Sequence, residues 1–138
     1  MNPLVIDSTI ALGLCFEDHI DAVVLQTLEE LRLRDALVPA HWHLETGEAL
    51  LVAERRRKLN SADGKRFLEL LGALRIETDL ETSSKAWQRT LVLAHDCAIT
   101  LYEAAYLELA ERRKAGLATR SKNLARAARK IGISELLA

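Results

Sequence analysis

The 138-residue chain has little of what marks a protein for a special environment. Its two cysteines, Cys15 and Cys97, lie far apart and in no CxxC pattern. That excludes a zinc ribbon or a vicinal redox pair and leaves reduced cytosolic thiols as the expectation. Two prolines and six glycines leave little room for long structureless linkers. No apolar run nears the roughly 18 residues of a membrane span, so no membrane contact is expected. The apolar start, MNPLVIDSTIALGLCF, lacks a basic n-region and carries Asp7. It therefore does not read as a signal peptide, and a cytoplasmic location is expected. With only two Trp, two Tyr and two Phe, nucleic-acid readout by an aromatic stacking sheet is not expected.

What is present is ordinary for a folded domain. Hydrophobic residues at 49% and charged residues at 28% argue against disorder. The length predicts a single domain over 1–138, large enough to bury about two-thirds of its unfolded surface. The net charge of −1 conceals an asymmetry. Residues 1–48 hold nine acids and two bases, whereas 112–130 hold eight bases and no acid. A block of one sign reads either as a polyanion-binding face or as a solvated helix exterior.

The apolar pattern predicts short strands at 3–6, 36–38, 75–77 and 117–119. Helical spacing predicts helices over 8–16, 20–34, 41–58 (with Leu44 and Leu51 on its apolar side), from Ser61 as cap to Leu74, 83–95, and 100–114 with Gly116 as its stop. A last helix has Leu124, Ala127, Ala128 and Ile131 on one face, and Gly132 ends it before a short apolar tail. Short strands alternating with helices, without hairpin signals, imply a parallel sheet covered on both faces. Ligands in such sheets bind beyond the carboxyl ends of the strands.

Three acids sit at those places: Asp7 after the first strand, Glu45 early in the helix after the second, and Glu103 at the start of the helix opened by Thr100. Converging carboxylates suit Mg²⁺ or Mn²⁺, which would support phosphodiester hydrolysis. Each acid also has a plainer reading. Asp7 can simply cap the first helix, Thr100-Leu-Tyr-Glu is a capping box for Glu103, and Glu45 and Glu48 suit a helix N-terminus. His41, His43 and Glu45 make a weak zinc pattern, because on a helix only His41 and Glu45 share a face. A receiver-like phosphoacceptor needs an acidic pair before the first helix, and VIDST offers one acid.

Four stretches, VIDSTIAL at 5–12, ALVPAHWHLETGEALLVAERRRKL at 36–59, ITLYEAAYLELAERR at 99–113 and LATRSKNLARAARKIGI at 117–133, together resemble the PIN-domain family. More narrowly they resemble the ribonuclease toxins of bacterial VapBC toxin–antitoxin pairs. The resemblance implies a three-layer α/β/α sandwich with a short-stranded central parallel sheet and a carboxylate-lined Mg²⁺/Mn²⁺ site. The implied metal ligands are Asp7, Glu45 and Glu103, with Ser121 at a fourth position commonly held by aspartate and Thr9 and Thr119 as auxiliary hydroxyls. Glu103 stands where the family usually has aspartate, and Glu48, where relatives often have asparagine, could restore the charge missing at Ser121. Arg120, Lys122 and Arg126, in the basic block, would contact RNA phosphates. The implied function is that of a metal-dependent endoribonuclease toxin, with an RNA substrate, a small antitoxin partner and a homodimeric state. The alternative is a PIN-like domain whose altered acids no longer catalyse but which still binds protein or RNA.

Overall fold

The computed structural model describes residues 2–16 and 20–137. Glu17 and Asp18 of the acidic set therefore lie outside the described residues. Strands β1 (Leu4–Ile6), β2 (Ala36–Val38), β3 (Ile76–Thr78), β4 (Gly116–Thr119) and β5 (Glu135–Leu137) form a parallel sheet in the order β3-β2-β1-β4-β5. Helices α1 (Ser8–Cys15) and α2 (Ala22–Glu30) link β1 to β2, and α3 (Trp42–Arg55) and α4 (Ser61–Gly72) link β2 to β3. The chain then returns through α5 (Thr82–Lys85), α6 (Leu91–Cys97) and α7 (Leu101–Arg113) to β4, and through α8 (Lys122–Lys130) to β5.

Sheet growth runs outward from β1 in both directions, so right-handed crossovers place the two helix sets on opposite faces. Helix α1 accordingly packs on α2, α3 and α4, and α7 on α6 and α8. This is the expected α/β/α sandwich. Leu4, Val5, Ile6, Leu37, Val38, Leu117 and Ala118 are fully buried, because a sheet covered on both sides turns whole strands into core. That is why the strands read as unbroken apolar runs.

Local details differ from the pattern reading. The apolar tail is an edge strand, β5, paired with β4. Asn60, not Ser61, caps α4, accepting from Asp63 N at 2.8 Å. Lys114, in the left-handed region at φ 50°, ends α7, and Gly116 opens β4 instead. The helix expected at 83–95 is interrupted by a π-helical turn at Ala86–Thr90, with Gln88 outside helical φ/ψ. On α3 the buried side is Trp42, Thr46, Leu50 and Ala53, while Leu44 is 78% exposed. The apolar block Ala49–Val52 misled the pattern because it wraps around the helix.

The basic block changes character on folding. Arg112 is enclosed by Asp79, Glu108 and Glu81, Arg113 pairs with Glu77 at 2.7 Å, and Arg120 pairs with Asp21 at 2.9 Å. Much of its charge is thus neutralised by acids from distant parts of the chain. Lys122 and Arg126 remain exposed on α8, the latter bonded to Asn123 at 3.4 Å.

Candidate active site

The direction of sheet growth reverses between the paired strands β1 and β4, the switch point at which a crevice is expected beyond the carboxyl ends. Asp7 stands there, one residue past β1 and only 3% exposed. Its extended backbone makes it the N-cap of α1, with Oδ1 accepting from Ile10 N at 3.1 Å and Thr9 Oγ1 at 2.6 Å. Oδ2 accepts from the hydroxyl of Thr119, the last residue of β4. Thr9 Oγ1 in turn accepts from Arg120 N at 2.8 Å, and Thr119 Oγ1 from Ser121 N at 3.0 Å. The carboxylate is thus sewn into both strand ends. Capping is therefore what part of this carboxylate does, and it leaves the wider role open.

Burial pushes the Asp7 carboxyl up to about 6, against the lowering effect of the Thr119, Thr9 and Ile10 bonds. A second strand-end aspartate shows what is missing there. Asp79 follows β3 and is equally buried, but Arg112 grips it through Nη1 at 3.0 Å and Nη2 at 2.7 Å. Burial raises the Asp79 carboxyl too, yet the Arg112 and Thr82 bonds prevail and hold it below the usual carboxylate range. Asp7 has three hydrogen bonds and no such cation among them.

Glu45, in the first turn of α3, meets the same crevice from the other side. Its Oε1 accepts from the hydroxyl of Tyr106, a buried residue of α7. Burial first, then the hydrogen bond to Glu45 and the charges of Glu45 and Asp7, drive the Tyr106 phenol upward, so it stays protonated and both carboxylates bear on it. His41 Nε2 lies 3.3 Å from Glu45 Oε1 and 3.1 Å from the Tyr102 carbonyl. Both neighbours accept, so Nε2 carries the proton. The His41 ring stands edge-on to Tyr106 at 5.3 Å. His43 points elsewhere, against Trp42 at 5.0 Å, so the HxH pattern does not close.

Glu103 is engaged locally. Its Oε1 accepts from Thr100 N and Oγ1, both at 3.2 Å, and Thr100 Oγ1 accepts from Glu103 N at 3.1 Å. Both halves of the capping box are present. Ser121 caps α8, its Oγ accepting from Leu124 N at 3.2 Å. Glu48 is exposed on α3. The crevice thus joins Asp7, Thr9 and Thr119, brings Ser121 beside them through its backbone, and sets Glu45 opposite. It does not bring in Glu48 or the Glu103 carboxylate.

The facing donors are carboxylate and hydroxyl oxygens without a thiolate, a set suited to Mg²⁺ or Mn²⁺. A buried carboxylate with a raised pKa and no cationic partner is the observation that fits such an ion. Among the described residues no three His, Cys, Asp or Glu side chains form a ready ligand group. The fit is therefore to Asp7 and Glu45, and Glu103 would join them by leaving its cap. Tyr106 is the site residue that the pattern does not single out, whereas His41 appears in it only as the face-mate of Glu45. The available signal was spacing, since Tyr106 lies three residues from Glu103 and His41 four from Glu45.

No protein-family model matches the chain, and no curated protein matches it in sequence. Solved structures do match in fold. PAE2754 from Pyrobaculum aerophilum aligns at TM-score 0.66 and 19% identity, over 91% of this chain and 79% of that one. A toxin–antitoxin complex from Klebsiella pneumoniae aligns at 0.60 and 19%, over 88% and 90%. VapC20 of Mycobacterium tuberculosis, described as a sarcin-ricin loop cleaving toxin, aligns at 0.63 and 12%, over 96% and 97%. At these identities the likeness is one of fold.

Proposed function

We propose that this chain is a metal-dependent endoribonuclease, the toxin of a type II toxin–antitoxin pair. The observation that carries this reading is Asp7, a buried strand-end carboxylate without a cation, facing Glu45 across Tyr106 in a chain with the fold of VapC20. Asp7 and Glu45 would hold Mg²⁺ or Mn²⁺, with Glu103 as a third carboxylate. Bound there, the ion would activate water and neutralise charge developing at the phosphodiester. The chain's own residues supply orientation. Thr9 and Thr119 fix the Asp7 carboxylate, and Ser121 presents the first turn of α8, whose free N–H groups favour an anion. Lys122 and Arg126 project from the same helix and would meet RNA phosphates. Arg120 would do so only by releasing Asp21.

The fold shared with a toxin–antitoxin complex supports a small antitoxin partner, and a homodimer is the proposed state of the chain itself. Such a protein would work in the cytoplasm; among the described residues no helix is long and apolar enough to cross a membrane. Protein freed of any partner is expected to cut structured RNA with Mg²⁺ or Mn²⁺ and to stop with EDTA. Inactivity toward total cellular RNA in both metals would sink the reading.

A second reading, a PIN-like binding module without catalysis, is favoured by one observation: Glu103 occupies its capping box. Absence of cleavage by the wild type in both metals would favour it, and Glu103→Gln tests whether the cap is that residue's whole role. Glutamine serves equally at that position of the box, so the metal-free melting temperature should not move. Under the nuclease reading the site loses a charge, and cleavage should fall at least tenfold. Wild-type cleavage by this variant would leave Glu103 as a cap alone.

A further inference from the structure

We infer that Tyr106 is a positioning residue for the site, holding Glu45 through one carboxylate oxygen so that the other oxygen faces a cation shared with Asp7. This rests on the proposed nuclease reading and adds a residue to it. Tyr106 lies in the middle of α7, 2% exposed, with its ring fixed by the core and by the edge-on His41 ring. Its hydroxyl donates to Glu45 Oε1.

The geometry explains why a buried tyrosine is needed. Glu45 comes from α3 and Asp7 from the end of β1, and no hydrogen bond between the two side chains joins them directly. A carboxylate on a helix surface samples several rotamers, each misplacing its charge. His41 constrains Oε1 from the helix side and Tyr106 from the core side, so Oε1 is occupied while Oε2 carries no hydrogen bond of its own. Partners of this kind, behind the ligands of a metal, commonly set affinity by about 10- to 100-fold. A tyrosine there merely for packing would give none of that dependence.

Mn²⁺ calorimetry on four proteins tests it: wild type, Tyr106→Phe, Glu45→Gln and the double variant. Tyr106→Phe should weaken Mn²⁺ binding by about tenfold or more while the metal-free melting temperature stays close to wild type. In the Glu45→Gln background the same change should matter less than about twofold, because the residue acts through Glu45. Unchanged Mn²⁺ affinity in Tyr106→Phe, or an undiminished loss in the Glu45→Gln background, would overturn the assignment and leave the nuclease reading standing. Wild type without Mn²⁺ binding would overturn both.

A second measurement does not depend on that variant folding. Tyr102 and Tyr106 are the only tyrosines, so in Tyr102→Phe the tyrosine resonance Raman bands report Tyr106 alone. Saturating Mg²⁺ should shift them as Glu45 gives up charge to the ion. A calorimetrically saturated protein with unshifted bands would also overturn the proposal.

Discussion

Asp7→Asn is expected to make the metal-free protein more stable at neutral pH and to abolish cleavage. The folded carboxyl has a pKa of about 6 against an ordinary 3.8, so the folded state holds its proton more tightly than the unfolded chain. Below about pH 4 the group is neutral in both states and imposes no penalty. Between about pH 4 and 6 the unfolded chain has lost a proton that the folded state keeps, so stability drains away across that window and levels off once the folded group is also ionised. Roughly two pKa units at about 1.4 kcal/mol each make the loss about 3 kcal/mol by pH 8. Asparagine does not titrate, and its carbonyl can still accept from Ile10 N and Thr9 as a helix cap.

Urea unfolding in EDTA from pH 4 to 8 should therefore show the variant pulling ahead as pH rises. A wild type equal to or more stable than Asp7→Asn at pH 8 would contradict the burial argument. With saturating Mn²⁺ the order should reverse, because an ion binding only the folded state stabilises by its affinity, and the variant has lost a ligand.

Arg112→Ala carries the second large expectation, a destabilisation of about 3–5 kcal/mol. Arg112 Nε lies 2.7 Å from Glu108 Oε1, Nη2 lies 2.7 Å from Asp79 Oδ2, and Nη1 lies 3.1 Å from Glu81 Oε2. Asp79 and Glu108 are 4% exposed each, so truncation leaves two buried carboxylates without a counter-charge. Its guanidinium is accordingly pushed above its ordinary pKa, chiefly by Glu108 and Asp79. Arg113→Ala is the control. Its pair with Glu77 is largely solvated, so its loss should cost about 0–1 kcal/mol. Similar denaturation midpoints for the two variants would show that the Arg112 cluster is not the bond between α7 and the β3 end. The cluster also steadies the site's edge, since Asp79 accepts from Thr82 Oγ1 at 3.0 Å, and Thr82 Oγ1 accepts from Ala40 N beside His41.

The chain's one-dimensional pattern suffices for much of the architecture. VIDST, ALVP and LAT read as strand ends because strands buried on both faces must be apolar throughout, whatever packs on them. Thr100-Leu-Tyr-Glu reads as a helix start because both cap bonds close within four residues. The placement of Asp7 at a strand end follows from the same local rules. Strand β5 is less legible, since an edge strand of three residues carries no period of its own.

Other features arise from segments far apart in the chain. The basic run 112–130 looks like a free polyanion face until Asp79, Glu77 and Asp21 arrive beside Arg112, Arg113 and Arg120. Trp87 fits a helical stripe, yet the π-helical turn turns it outward to solvent. The contrast between Asp7 and Asp79 is of the same kind. Both are acids after short strands, and the pattern cannot tell them apart. One meets an arginine 33 residues away and becomes a structural ion pair. The other meets a threonine 112 residues away and stays a buried carboxylate without a basic partner. Periodicity and capping act within about one helical turn and so are written locally, whereas the neighbour that neutralises a charge is supplied by chain topology, which folding alone brings into contact.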